Sequence, residues 1–145
     1  MFVVDTNILL HAANRGSPHH ARLKRLVGGW RNGPEPCNAT WSMLYEFLRV
    51  ITHRGVLARP FSFNEAWSFV AGMLASVHFD ILVETPGHRQ VVRDLMNEYP
   101  DLSGSIMHDV HTVALMREHG ISEIRTFDRH IQRFTHLRAV NPLAM

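Results

Sequence analysis

Short apolar runs and longer amphipathic stretches take turns from one end of this chain to the other. Phe2, Val3 and Val4 are β-branched or aromatic and predict a short buried strand. Residues 7–14 predict a short helix stopped near Gly16. "SPHHARLKRLVGG" predicts a second helix, with Ser17 as N-cap, Pro18 at the first helical position and an end at Gly28 and Gly29. "WRNGPEPCN" reads as a loop by its Gly and Pro content. A helix over 40–53 carries an apolar stripe of Trp41, Leu44, Tyr45, Leu48 and Ile51, and one over 63–77 repeats it with Phe63, Ala66, Trp67, Val70 and Leu74. "FDILVET" predicts a strand, 86–99 a helix, "YPDLSGS" a turn and 105–119 a helix ended by Gly120. "ISEIRTF" is then a strand, "DRHIQRF" a short helix and "LRAV" a last strand. Such alternation argues a parallel sheet, because parallel neighbours need long crossovers that helices supply. The expected fold is a three-layer α/β/α one, with a central parallel sheet of roughly four to five short strands flanked by helices.

A length of 145 residues suits one domain over 1–145, with no linker, repeat or low-complexity segment to divide it. Hydrophobic residues at 46% and charged residues at 19% fit an ordinary soluble protein. No apolar run approaches the ~20 residues of a membrane span, and residues 1–10 lack the positive start of a secretory signal. The single Cys37 excludes an internal disulfide and fits a reducing, cytoplasmic setting. The balance is mildly basic, with a net charge of +2 and only one lysine, Lys24, among the 15 basic residues. Arginine's planar fork suits phosphate, although a GC-rich coding bias accounts for it equally well. The 11 histidines are dispersed, and no Cys/His spacing of zinc type is present.

Ligands of open parallel α/β sheets bind beyond the carboxyl ends of the strands. Asp5 follows the first strand and Asp128 follows the strand with Ile124 and Thr126, so both belong at that edge. Glu46 lies off the centre of its helix's apolar stripe, in a segment poor in charge, and Asp109 lies in the first turns of the 105–119 helix. Each acid also has a plain structural use. Asp5 and Asp128 suit helix N-caps, Asp109 gains from the helix dipole by roughly 0.3–1 kcal/mol, and Glu46 fits a solvated face. Those uses explain less well why acids recur at strand ends and helix starts that share an edge. Crowded carboxylates raise one another's pKa unless a cation is present, and an all-oxygen set suits Mg²⁺ or Mn²⁺. The implied chemistry is metal-assisted phosphodiester hydrolysis.

"VVDTN", "YEFLRV", "MHDVHTVAL" and "RTFD", in this order, resemble the PIN-domain ribonucleases, and more closely the VapC toxins of VapBC toxin–antitoxin modules. The likeness spans nearly the whole chain, including "GPEP", "FLRVITH", "EHG" and "LRAVNPL". It implies an endoribonuclease with Asp5, Glu46, Asp109 and Asp128 as catalytic, metal-binding acids, and Thr6, Asn7 and Thr126 as supporting polar positions. It further implies Mg²⁺ or Mn²⁺ as cofactor, RNA as substrate, 5′-phosphate and 3′-hydroxyl products, a VapB-type antitoxin as inhibitor and a homodimer. His108, His111 and Arg129 are candidate substrate contacts. One departure stands out. Such proteins often continue the last motif as Asp-x-Asp-Phe, whereas "DRHI" places His130 and Ile131 there.

Two other classes compete. A non-catalytic PIN-fold module would bind RNA or protein through a degenerate site. The four intact acids argue against it and His130 argues for it. A phosphotransferase of the haloacid-dehalogenase kind also carries an early strand-end Asp. Here Asn7 replaces its second acid, and Lys24 is the only lysine, so no downstream lysine is available.

Overall fold

The computed structural model describes residues 1–145. Phe2–Val4 forms strand β1, with all three side chains buried. Helices α1 (Thr6–Ala13) and α2 (His20–Asn32) lead to β2 (Cys37–Thr40). Helices α3 (Trp41–Ile51) and α4 (Phe63–Leu74) lead to β3 (Phe79–Leu82). Helices α5 (His88–Glu98) and α6 (Ile106–Glu118) lead to β4 (Glu123–Arg125). A short 3-10 helix, His130–Arg133, precedes β5 (Arg138–Val140). All strand pairs are parallel, in the order β3-β2-β1-β4-β5. Connections of this kind are right-handed. The chain steps from β1 through β2 to β3, then crosses back over β1 to β4. That reversal puts α1–α4 on one face and α5–α6 on the other, which is the expected three-layer α/β/α arrangement with five strands.

Strand order reverses between β1 and β4, and the crevice beyond their carboxyl ends is where such sheets take ligands. Val4 pairs with Arg125, and Asp5 N donates to Arg125 O at 3.0 Å, so the two chains leave the sheet side by side. Asp5 and Thr126 are therefore neighbours by register.

Four local expectations do not match the structure. Helix α2 starts at His20, with His19 rather than Ser17 at its N-cap position and Pro18 outside the helix, because the Ser17 hydroxyl accepts from His19 N at 3.1 Å in a turn ahead of it. The end of "WRNGPEPCN" is not loop but β2, fully buried between β1 and β3. Its polar residues hide the strand in the sequence, and they are satisfied internally: Asn38 Nδ2 donates to Phe2 O at 3.0 Å, and Thr40 Oγ1 accepts from Met43 N at 3.2 Å. Helix α2 does not stop at Gly28 and Gly29 but runs to Asn32. Trp30 packs edge-on against Phe2 at 5.3 Å and Arg31 Nε donates to Ser76 Oγ at 2.7 Å, so tertiary contacts override the weak helix propensity of two glycines. Finally, α3 buries Met43, Leu44, Phe47 and Ile51, while Trp41 and Tyr45 are exposed. Apolar residues surround nearly the whole helix, so periodicity leaves its phase open, and Phe47 stacking on Phe69 at 4.9 Å settles it. On α4, Phe63 and Trp67 are likewise exposed, against Ala66, Val70 and Met73 buried.

Strand β4 ends in a buried polar anchor that the sequence did not advertise. The buried Arg125 guanidinium lies 3.3 Å from the Phe2 ring centroid and 4.6 Å from that of Trp30. It donates to Glu123 Oε1 at 3.0 Å and to Glu35 Oε2 at 3.2 Å. Buried arginines persist where they are both paired and stacked.

Candidate functional site

Asp5 stands at the N-cap position of α1, yet its side chain makes no capping bond. It turns toward β4 instead. Thr126 Oγ1 donates to Asp5 Oδ2 at 2.5 Å and Asn7 Nδ2 donates to the same oxygen at 2.8 Å. Asn7 Nδ2 also reaches Thr126 Oγ1 at 3.1 Å, and Asn7 Oδ1 accepts from Phe127 N at 3.2 Å. Thr126 Oγ1 in turn accepts from Asp128 N at 2.8 Å. Asp5, Asn7, Thr126 and Asp128 are thus one hydrogen-bonded unit joining the ends of β1 and β4. Thr6 faces elsewhere: its buried hydroxyl donates to Met43 O at 3.1 Å, tying α1 to α3. Thr40 caps α3 through Met43 N, which fixes the start of the helix that carries Glu46.

Burial pushes the Asp5 carboxyl up from its ordinary value. The bond from Thr126 and the Thr6 N–H oppose this, and the charges of Glu46 and Asp128 add to it. The Asp109 carboxyl is pushed up to about 6, first by burial and then by the charges of Asp128, Asp5 and Glu46, with His108 opposing. Four separated stretches of chain therefore bring four carboxylates within electrostatic reach of one another. Glu46 is the most open member: its side chain is 56% exposed, with Arg49 Nη2 at 4.0 Å. No ion pair reaches Asp5, Asp109 or Asp128. The protein gathers negative charge here and supplies little positive charge to offset it. An all-oxygen donor set in which the Asp5 and Asp109 carboxyls are pushed up fits a hard divalent cation.

Around the rim, Asp128 Oδ1 accepts from His130 N at 2.7 Å, so the backbone of His130 shapes the acid loop while its side chain is exposed. Arg129 and His108 are exposed as well. His111 is drawn away from the four acids: its Nε2 lies 2.7 Å from Glu84 Oε1 and its Nδ1 lies 3.3 Å from Ser42 Oγ. A ring cluster with no signature in the sequence sits beside Asp128. The His11, His19 and Phe127 rings are mutually in contact, with centroids 5.5 to 5.9 Å apart. Only the packing of α1 on the strand-end loop unites them.

The PIN domain family model matches residues 2–137 of this chain. The chain is 31% identical over 140 residues to Ribonuclease VapC48 of Mycobacterium tuberculosis (strain ATCC 25618 / H37Rv), covering 97% of this chain and 96% of that protein. Among solved structures, the fold is similar to that of Mycobacterium tuberculosis VapC20, described as a Sarcin-Ricin loop cleaving toxin. The TM-score there is 0.63 at 21% identity, covering 92% of this chain and 95% of that one. It is also similar to VapBC2 from Rickettsia felis, solved bound to a DNA fragment from their promoter, with a TM-score of 0.62 at 12% identity and 96% of each chain covered. With its reversed parallel sheet and the acids beyond β1 and β4, the chain belongs to the PIN-domain family, on its VapC branch.

Proposed function

We propose that the chain is a single PIN domain over 1–145 acting as a metal-dependent endoribonuclease toxin. The observation that carries this reading is the set of four carboxylates of which three, Asp5, Asp109 and Asp128, have no ion pair within the protein. Asp5, Glu46, Asp109 and Asp128 would together hold Mg²⁺ or Mn²⁺. When bound, such an ion supplies charge stabilisation at the phosphodiester under attack and raises the acidity of water. The chain's own residues do the rest. Thr126 and Asn7 fix the Asp5 carboxylate by donating to one oxygen. Asp128, with its N–H on Thr126 and one oxygen on the His130 N–H, is held in a set orientation. Arg129, His108 and the His11–His19–Phe127 rings line the approach, where cationic groups grip phosphate and rings stack on unpaired bases.

A VapB-type antitoxin is the proposed inhibitor, inserting a basic side chain, with arginine the best match, among the carboxylates. Such a pair is charge-assisted and can be bidentate. The exposed Trp41, Tyr45, Phe63 and Trp67 on α3 and α4 support a protein contact, here assigned to a homodimer. No helix is long and apolar enough to cross a membrane, and the setting proposed is cytoplasmic. Incubating total cellular RNA with the purified protein tests the reading. Cleavage is expected with Mg²⁺ or Mn²⁺ and is expected to stop with excess EDTA and in Asp5→Asn. Cleavage undiminished under both would remove the proposed chemistry. RNA binding without any cleavage would favour the non-catalytic module.

A further inference from the structure

Glu84 follows β3, His88 opens α5 and His111 lies on α6. Each offers one donor atom, and the three atoms lie within 4.8 Å of one another. This group is separate from the four acids, and its donors differ in kind: two imidazoles and one carboxylate rather than oxygen alone. Two imidazoles with a carboxylate suit a borderline ion such as Zn²⁺ better than Mg²⁺. The support behind the donors is also in place. His88 Nδ1 lies 2.7 Å from Glu118 Oε2, and that carboxylate is buried with only 1% of its side chain exposed. Glu118 Oε1 is held in turn by Thr85 N at 2.9 Å and Thr85 Oγ1 at 2.6 Å. Burial pushes the Glu118 carboxyl up, but the bonds from His88 and Thr85 together hold it below its ordinary value. A carboxylate on the far nitrogen of an imidazole fixes its tautomer and raises its basicity as a ligand. Ser42 Oγ stands 3.3 Å from His111 Nδ1 and performs the same service more weakly.

From this geometry we infer a second metal site, a tetrahedral Zn²⁺-class site formed by Glu84, His88 Nε2 and His111 Nε2 with one position open to water. Glu84 Oε1 and His111 Nε2 now share a 2.7 Å contact. Ligands at about 2.0–2.1 Å in tetrahedral array stand about 3.3 Å apart, so the exposed Glu84 side chain needs to retreat by about half an ångström. The bound ion ties the loop after β3 and the start of α5 to α6. The sequence hid the site because Glu84 and His88 straddle a loop and a helix start. His111 joins them only through the packing of α5 on α6.

Isothermal titration of the chelator-stripped protein with Zn²⁺, in saturating Mg²⁺, tests the inference. One Zn²⁺ should bind, Co²⁺ in its place should give the intense visible bands of a tetrahedral site, and the melting temperature should rise. Glu84→Gln keeps the contact to His111 and should fold normally. It and His88→Gln, each removing a direct ligand, should weaken Zn²⁺ by more than the roughly 10- to 100-fold that loss of an outer-shell partner costs, while RNA cleavage in Mg²⁺ is unchanged. Asp109→Asn should leave Zn²⁺ affinity intact. Absence of Zn²⁺ binding, equal binding by wild type and Glu84→Gln, or loss of the bound ion to Mg²⁺ would each overturn the site.

Discussion

The partners of the Asp5 carboxylate position it without neutralising it. Thr126 and Asn7 donate neutral hydrogen bonds, and the nearby charges of Glu46 and Asp128 are repulsive. Replacing Asp5 or Asp109 by Asn keeps the shape and removes one repelling charge. RNA cleavage should fall by more than about 100-fold, while the metal-free melting temperature holds or rises. A marked drop in melting temperature would mean that the carboxylate serves the fold. The pH dependence follows from Asp109, pushed up to about 6. Between an ordinary carboxyl value and that one, the folded protein keeps a proton that the unfolded chain has released. Metal-free stability from this group therefore declines as pH rises through that window and is level above it. Allowing for solvent screening, the decline is about 1–2 kcal/mol. Urea melts of wild type and Asp109→Asn at about pH 4.5 and about pH 7.5 should show the variant gaining on wild type at the higher pH.

Helix and strand identity was legible where one face alone is apolar or where a strand is wholly apolar, as in β1. It was illegible in β2, where Asn38 and Thr40 are buried because the sheet gives each a partner. The strand-end acids were legible because strand ends place residues by topology. The phase of Glu46 on α3 was not, since the choice between Tyr45 and Phe47 as the buried ring depends on Phe69 in another helix. Thr40→Ala should cost about 1 kcal/mol by removing the α3 cap. Because α3 carries Glu46, cleavage should weaken too, which parallel urea melts and RNA assays would show. Arg125→Ala should cost about 3 kcal/mol, since it strips Phe2 and Trp30 of their stacking partner and removes one of the two arginines paired with Glu123, Arg138 remaining. Equilibrium unfolding checks the value.

At the scale of the whole molecule, the reversal of strand order between β1 and β4 creates the crevice, and the sequence then fills it with acids. The order of segments foretold a parallel sheet, but not which strands would be adjacent, because adjacency depends on the return crossover of α5 and α6. The same crossover built the Glu84–His88–His111 group, which no spacing in the sequence signals. Substrate capture should depend on the basic rim, so RNA binding should weaken steeply with salt as each neutralised phosphate releases counterions. Filter binding across a salt series, in catalytically silent Asp5→Asn protein, would measure that slope. The central claim is that Asp5, Glu46, Asp109 and Asp128 form a single cation site. Anomalous scattering from crystals soaked in Mn²⁺ tests it most directly. A peak among these carboxylates, in contact with Asp5 and Asp109 and lost in Asp109→Asn crystals, is the expected result. No peak there at a Mn²⁺ concentration that supports cleavage would contradict the claim.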